Sequence, residues 1–233
     1  MIIKCIWEHN GNDTLLYAED FSGAFTRGAS KEIALSKMPN EIISFFRWQG
    51  KIPDKILIPE IVYEKNSILN IADADTDIIF NNEKLPLSLT EYYSMKETAL
   101  QSAECFLNLY NSIPDKNISC IPARKTFYGE IPRTAFEMYE HTKNVNEYYF
   151  GEIGIHCDKN GTILDSRIKG FDLIENTTDF LCNSVHFGSC NEQWSLKKVM
   201  RRFIWHDRIH AKAMYRMAVN LFGKDLVLNT FQF

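Results

Sequence analysis

The chain has 233 residues, of which 45% are hydrophobic and 13% aromatic, so it can build a substantial core. Its 26 basic and 30 acidic side chains are interspersed and give a formal net charge of −4, which argues against nucleic acid as a partner. No apolar run approaches the roughly 18 residues of a membrane span, and the N-terminus lacks the basic and apolar regions of a secretory signal. We therefore expect a cytoplasmic protein without a membrane partner.

The six cysteines are scattered along the chain, and no two of them have CxxC spacing. This pattern argues against a disulfide framework and against a structural zinc knuckle. We therefore expect buried free thiols.

The first 87 residues predict an α+β module. A helix is predicted from about residue 30 to residue 48, where apolar residues recur at helical intervals, and Pro39 predicts a kink or a break inside it. β-branched and aromatic runs between turn residues predict the strands of this module. The predicted strands cover residues 2–8, 14–20, 55–66 and 77–82.

Residues 88–233 predict four long helices. The first opens with the capping box of Ser88 and Glu91 and runs to about Ser112. The others are predicted from Pro132 to about residue 153, from 172 to 187, and from Ser195 to Gly223. Four helices joined by connections of up to about 20 residues predict an all-α four-helix bundle. We place the domain boundary at residue 87, within the segment 82–90.

Two histidines of the fourth predicted helix, His206 and His210, lie one turn apart on its apolar face. His141 occupies a similar position on the second predicted helix. A buried imidazole without a partner costs about 1–3 kcal/mol, which hydrogen bonding within the core or one shared metal ion would avoid. Three histidine ligands leave an open coordination position, as in catalytic metal sites, and nitrogen donors favour zinc or nickel, with iron also compatible.

The segments YEHTKNVNEYYFGEI (139–153) and LKKVMRRFIWHDRIHAKAMYRMA (196–218) resemble the DinB-like superfamily of four-helix bundles. The resemblance covers about residues 88–222. That family carries one histidine on its second helix and an HxxxH pair on its fourth, which implies His141, His206 and His210 as metal ligands. Its characterised enzymes include metal-dependent transferases and isomerases that use low-molecular-weight thiols such as bacillithiol or mycothiol. The resemblance therefore implies a small thiol as co-substrate.

The segment from Leu15 to Trp48 resembles the HicB-like module. The shared pattern is an acidic residue, two glycines, and a serine that opens a helix containing Ala-Leu; its matching residues are Asp20, Gly23, Gly28, Ser30, Ala34 and Leu35. In toxin–antitoxin systems this module binds the toxin. Because this chain lacks a DNA-binding tail, the resemblance implies a protein partner or self-association through the N-terminal module, and it disfavours a nucleic-acid regulator.

The combined prediction is a metal-dependent enzyme acting on a small-molecule substrate, with the bound metal activating a thiol or water as in a thiol S-transferase or a hydrolase. Its catalytic acid and base are unknown, and Glu137, one turn before His141, is a candidate. A metalloprotease of the HExxH type is disfavoured because Asp207 replaces the glutamate of that motif. The alternative is a non-enzymatic, stress-related interaction protein whose N-terminal module binds a protein partner.

Three further expectations concern the surroundings of the predicted site. Tyr148 is expected near the mouth of the metal site. Asp207 is expected on the solvated side of the fourth helix, with a contact to a ligand imidazole as the alternative. Arg201 and Arg202 are expected on a solvated face, with an anionic substrate at the rim of the site as the alternative.

Overall fold

The computed structural model describes residues 1–11, 13–52, 56–126 and 129–233. The chain divides into two compact units, Met1–Asn82 together with Gln232, and Glu83–Phe231 together with Phe233. Lys55, with which one predicted strand begins, lies outside the described residues.

The described strands of the first unit form a four-stranded sheet in the order β3-β2-β1-β4. The strands are β1 (Ile2–His9), β2 (Thr14–Ala18), β3 (Phe25–Gly28) and β4 (Ile58–Asn66). β1 pairs antiparallel with β2 and parallel with β4, and β2 pairs antiparallel with β3. Strands in the segments of β1, β2 and β4 were predicted, and the structure confirms them.

The helix of the first unit is α1 (Lys31–Trp48), which packs against β2, β3 and β4. Ser30 caps it by accepting a hydrogen bond from the Ile33 backbone N–H at 3.4 Å. The helix continues through Pro39, so it does not break there, and the alternative of a kink stays a prediction. The apolar stripe is buried on both sides of the proline, and this burial holds the helix together across it.

The strand predicted at residues 77–82 is also wrong. Ile78 and Phe80 are buried, but they lie in irregular chain, and the Phe80 ring meets the Tyr17 ring edge-on at 5.6 Å. The apolar pattern of this segment therefore reports burial against the sheet, and an apolar run of this length does not separate burial from strand pairing.

The second unit is built around α2 (Leu89–Ser112), α3 (Ala135–Gly151), α4 (Ile163–Glu175) and α5 (Leu196–Phe222). α2 and α3 each contact both α4 and α5. Side chains at the helix starts accept backbone N–H bonds: Ser88 caps α2, and Ser195 caps α5. α5 ends at Gly223, whose φ of +86° suits glycine. The predicted first and fourth helices are thereby confirmed.

The other two helices differ from prediction. α3 begins after Thr134, whose side chain and that of Glu137 form a capping box, so it starts later than Pro132. The helix predicted at 172–187 is wrong, because α4 ends at Glu175. A second capping box, formed by Thr162 and Asp165, starts α4 nine residues earlier than we predicted.

The predicted fold class, an α+β N-terminal module followed by an all-α DinB-like four-helix bundle, is wrong. In the described part of the second unit, antiparallel pairs of short strands interrupt the helices: β5 (Lys125–Thr126) with β6 (Gly129–Glu130), and β7 (His186–Phe187) with β8 (Gln193–Trp194). Strands of two residues are too short to show an alternating pattern in sequence. The fold is therefore an α+β mixture in which helices and sheets are interleaved.

The cysteines match their prediction in part. All six carry free thiols. Cys5 and Cys157 are buried as expected, whereas Cys120, Cys182 and Cys190 are exposed, so the prediction of burial is wrong for these three. Within the described ranges of the chain, no helix is long and apolar enough to cross a membrane.

Candidate metal centre

The structure brings the three predicted histidines together on two neighbouring helices. His141 extends from α3, and His206 and His210 extend from α5. One potential ligand atom from each imidazole lies within 4.8 Å of the other two. His141 Nε2 and His206 Nε2 lie 3.2 Å apart, and the ring centroids of His206 and His210 are 4.5 Å apart.

The helix faces explain this convergence. His206 and His210 follow each other by one turn on α5, and Phe203, Met214 and Met217 of the same helix are buried in the core. Exposure increases across the site: His206 is buried, His210 is intermediate and His141 is exposed. The cluster therefore lies at the margin of the core, and one side of it is open to solvent.

Desolvation favours the neutral form of all three imidazoles. Neighbouring atoms remove water from the His141 ring and so lower its pKa, although the residue as a whole stays exposed. The pKa of His210 is lowered to about 3 by burial and by the neighbouring His141. The pKa of His206 is lowered well below its usual range, mainly by burial and then by His210, His141 and two arginines. A neutral imidazole offers a lone pair, so at neutral pH all three side chains are in the protonation state that metal ligation requires.

The two ring nitrogens of His206 differ in their surroundings. Its Nδ1 atom is buried and has no hydrogen-bond partner among the residues that the structure describes. A metal-ligating histidine usually donates its other ring N–H to an acceptor, and for His206 Nδ1 the described residues provide none. Two ligands on a tetrahedral zinc ion lie about 3.3 Å apart at typical zinc–nitrogen distances, close to the 3.2 Å between His141 and His206. The donor set and the spacing of this pair therefore fit a divalent metal, and the ligand atom of His210 lies within 4.8 Å of both.

Tyr149 is an aromatic residue beside the site, and the expected place of Tyr148 near the mouth of the metal site stays a prediction. The Tyr149 ring meets the His206 ring at right angles, with centroids 6.1 Å apart. Tyr148 contacts Tyr149 and Trp194, and 45% of it is exposed. The guanidinium of Arg202 lies 5.4 Å from the Tyr149 centroid, which places a cation one turn before His206.

The predicted solvated positions of Asp207 and Arg201 are wrong. Asp207 is fully buried and accepts two hydrogen bonds from Arg167. Arg201 is 3% exposed and forms a bidentate ion pair with Glu83. A charged residue on the polar side of a helical wheel can thus be buried when another element of the fold supplies its counter-charge.

Glu137 has a structural role that makes it a poor candidate for the general base. Its Oε2 atom accepts hydrogen bonds from the backbone N–H groups of Arg133 at 2.8 Å and Thr134 at 3.0 Å. These bonds lower the pKa of the carboxyl. A carboxylate with a lowered pKa accepts protons poorly near pH 7, so its capping function explains its position.

Sequence reasoning missed the buried polar residues beside the histidines. Arg167 and Asn146 lie within the second unit and are hydrogen-bonded to each other at 3.0 Å. The signal that identifies Arg167 is the capping box of Thr162 and Asp165, because a helix starting there places Arg167 on the same stripe as buried Ile163, Phe171 and Ile174.

Comparisons of the chain with protein-family models, with curated proteins and with solved structures gave no significant match. The DinB-like and HicB-like resemblances therefore stay predictions from the residues that carry them. The support for a metal centre is the geometry of the three imidazoles of His141, His206 and His210.

Proposed function

We propose that this protein is a metal-dependent enzyme whose His141, His206 and His210 hold a divalent cation. The observation that supports this most is the convergence of three imidazoles within 4.8 Å, all with lowered pKa values. Neutral nitrogen donors of this kind suit zinc or nickel and are compatible with iron.

A cation bound to these residues would lower the pKa of a coordinated water or thiol and so supply a nucleophile near neutral pH. Three protein ligands leave at least one coordination position for such a molecule. The solvent exposure of His141 supports access to that position from the surface. The resemblance to the DinB-like superfamily favours a small thiol over water, and thus thiol transfer over hydrolysis.

The test is the metal content of protein purified without an affinity tag. Elemental analysis of the wild type should find close to one zinc or nickel ion per chain after reconstitution. The variant His141→Ala/His206→Ala should hold none, because one imidazole is a weak ligand set. His186→Ala is the matched control, since this exposed histidine of the same unit is not part of the cluster.

Stoichiometric metal in the His141→Ala/His206→Ala variant would discard the site. The alternative, a non-enzymatic interaction protein, would be favoured if the wild type contains no metal and if its melting temperature does not change when metal or chelator is added. With the metal-loaded wild type, consumption of a small thiol in the presence of an electrophile would support a transferase, and ester hydrolysis without thiol would support a hydrolase.

A further inference from the structure

Arg167 connects the helices of the second unit from a fully buried position on α4. Its Nη1 and Nη2 atoms donate to the two carboxylate oxygens of Asp207 on α5 at 2.5 and 3.0 Å. Its Nε atom donates to Asn146 Oδ1 on α3 at 3.0 Å, and Nη1 also donates to the Ala99 carbonyl on α2 at 3.0 Å. The guanidinium carbon lies 4.3 Å from the centroid of the Phe203 ring. One side chain therefore holds three other helices.

Two of these contacts lie close to the histidines. Asp207 directly follows His206 on α5, and Asn146 lies on α3 between His141 and the end of the helix. Asn146 is itself fixed, because its Nδ2 atom donates to the Ile163 carbonyl at 2.9 Å and to Ser166 Oγ at 2.6 Å. A continuous series of buried hydrogen bonds thus links the helix of His141 to the helix of His206 and His210.

Stability alone is a weak reason for this arrangement. Burying two charges carries a desolvation penalty, and replacing a buried ion pair by well-packed apolar residues is often neutral or stabilising. Such a pair can instead define how helices align, because its hydrogen bonds form in only one register. A metal site needs its helices held in one alignment, because its ligands must stay within about 0.5 Å of the productive geometry. A helix rises about 1.5 Å per residue, so a shift of a single residue between the helices would already exceed that tolerance.

We propose that Arg167 and Asp207, with Asn146, are positioning residues that align α3 with α5 and hold His206 and His210 against His141. This inference rests on the proposed metal site. It predicts that removing the pair weakens metal binding even when the protein remains folded.

The test is the Zn²⁺ affinity of the full-length Arg167→Met/Asp207→Leu variant, measured by competition with a chromogenic chelator. Replacing both charges leaves no unpaired ion in the core, so the variant should fold, as circular dichroism and thermal melting would show. Its Zn²⁺ affinity should fall at least about tenfold, the size of effect seen when residues that orient metal ligands are changed. The visible spectrum of the Co²⁺-loaded variant should differ from that of the wild type, because that spectrum reports the coordination geometry.

Arg167→Lys provides a second variant that keeps the positive charge. Lysine lacks the planar fork with which Arg167 reaches Asp207, Asn146 and Ala99 together. This variant should also lose Zn²⁺ affinity. If the Met/Leu variant does not fold, Arg167→Lys decides the question by the same measurement.

The matched control is the other buried bidentate pair of α5, Arg201 with Glu83, which joins α5 to the segment before α2. Arg201→Met/Glu83→Leu makes the same chemical change on the same helix. Its melting temperature should change, but its Zn²⁺ affinity should stay within about twofold of the wild type, because the links between α3, α4 and α5 remain.

The outcomes separate the two proposals. A wild type that binds no Zn²⁺ overturns the proposed metal site and this inference with it. A wild type that binds Zn²⁺, together with a folded Arg167 variant whose affinity and Co²⁺ spectrum match it, overturns the positioning role alone. Equal loss of affinity in the Arg201→Met/Glu83→Leu control also overturns it, because the effect would then follow any buried pair of α5.

Discussion

The Nε2 atoms of His141 and His206 lie 3.2 Å apart, although 65 positions separate the two residues in sequence. The contact between α3 and α5 brings them together, and loss of water around the two rings lowers both pKa values. Two neutral imidazoles can share at most one hydrogen bond at this contact. His210 adds a third imidazole beside them, and its nitrogen is a further potential metal ligand. The relationship is therefore better suited to binding a cation than to hydrogen bonding alone.

Zinc should stabilise the protein against heat. At a free zinc concentration of about 100 times Kd, binding to the folded state adds about 2.7 kcal/mol, which corresponds to a rise in Tm of roughly 5–10 °C for a domain of this size. Differential scanning fluorimetry with zinc, and then with excess chelator, measures the effect.

The His206→Ala variant is the comparison for this melting experiment. It should show no zinc-dependent rise, because only two of the three clustered imidazoles remain to hold the ion. An equal rise in the variant would mean that zinc acts elsewhere on the protein.

Gly170 should not tolerate alanine. A Cβ atom at this buried position of α4 would lie 2.0 Å from Cε2 of Phe150 on α3. Although alanine is the better helix former, Gly170→Ala should lower the free energy of unfolding by about 1–3 kcal/mol through overpacking. Urea denaturation measures this change.

Gly151→Ala on α3 is the matched control for Gly170→Ala. A Cβ atom at Gly151 would meet no described atom within 4 Å. This variant should be neutral or slightly stabilised. If the two variants unfold alike, the close approach of α3 and α4 at Phe150 is wrong.

Local signals in the sequence correctly predicted those helix ends and helix faces that one or two residues determine. Ser88, Ser195 and Gly223 bound α2 and α5 as predicted, and the spacing of His206 and His210 placed both on one face. The short strands β5 to β8 were not predictable, because two residues carry no periodicity and their pairing depends on neighbouring loops.

The surroundings of the site were predicted less well than its histidines. Asp207 and Arg201 were assigned to solvent because their counter-charges, Arg167 and Glu83, come from distant parts of the chain. Periodicity within one helix cannot report such a partner.

Lys198 should make the stability depend on alkaline pH. Burial lowers its pKa to about 8, against the opposing charge of Glu192, whose Oε1 lies 2.8 Å away. Because the unfolded chain keeps this lysine protonated to about pH 10.4, the unfolded state binds more protons above pH 8, and stability rises with pH there. Between pH 7 and 9.5 the gain should be about 1–2 kcal/mol.

The Lys198→Met variant isolates this contribution from those of other groups that titrate at alkaline pH. Chemical denaturation of the wild type and the variant at several pH values gives the difference in their free energies of unfolding. The free energy of unfolding of the wild type should increase relative to that of the variant as pH rises from 7 to 9.5. If the free energies of unfolding of the two proteins change in parallel with pH, the lowered pKa of Lys198 is wrong.

The cysteines should react with iodoacetamide in two groups. Cys120, Cys182 and Cys190 are exposed and should be alkylated in the native protein at pH 8. Cys5 should be protected, because burial raises its pKa to about 12, and Cys157 should be protected because burial also raises its pKa. Peptide mass spectrometry gives the extent at each site, with denatured protein as the reference for full labelling. Native labelling of Cys5 as fast as Cys182 would contradict the buried position of β1.

The most direct test of the metal centre is a crystal structure of the zinc-loaded protein with anomalous diffraction measured at the zinc edge. We predict one strong anomalous peak per chain, with a nitrogen of His141, His206 and His210 each about 2.0–2.1 Å from it. An anomalous peak at other residues, or none at this cluster in protein saturated with zinc, would contradict the account.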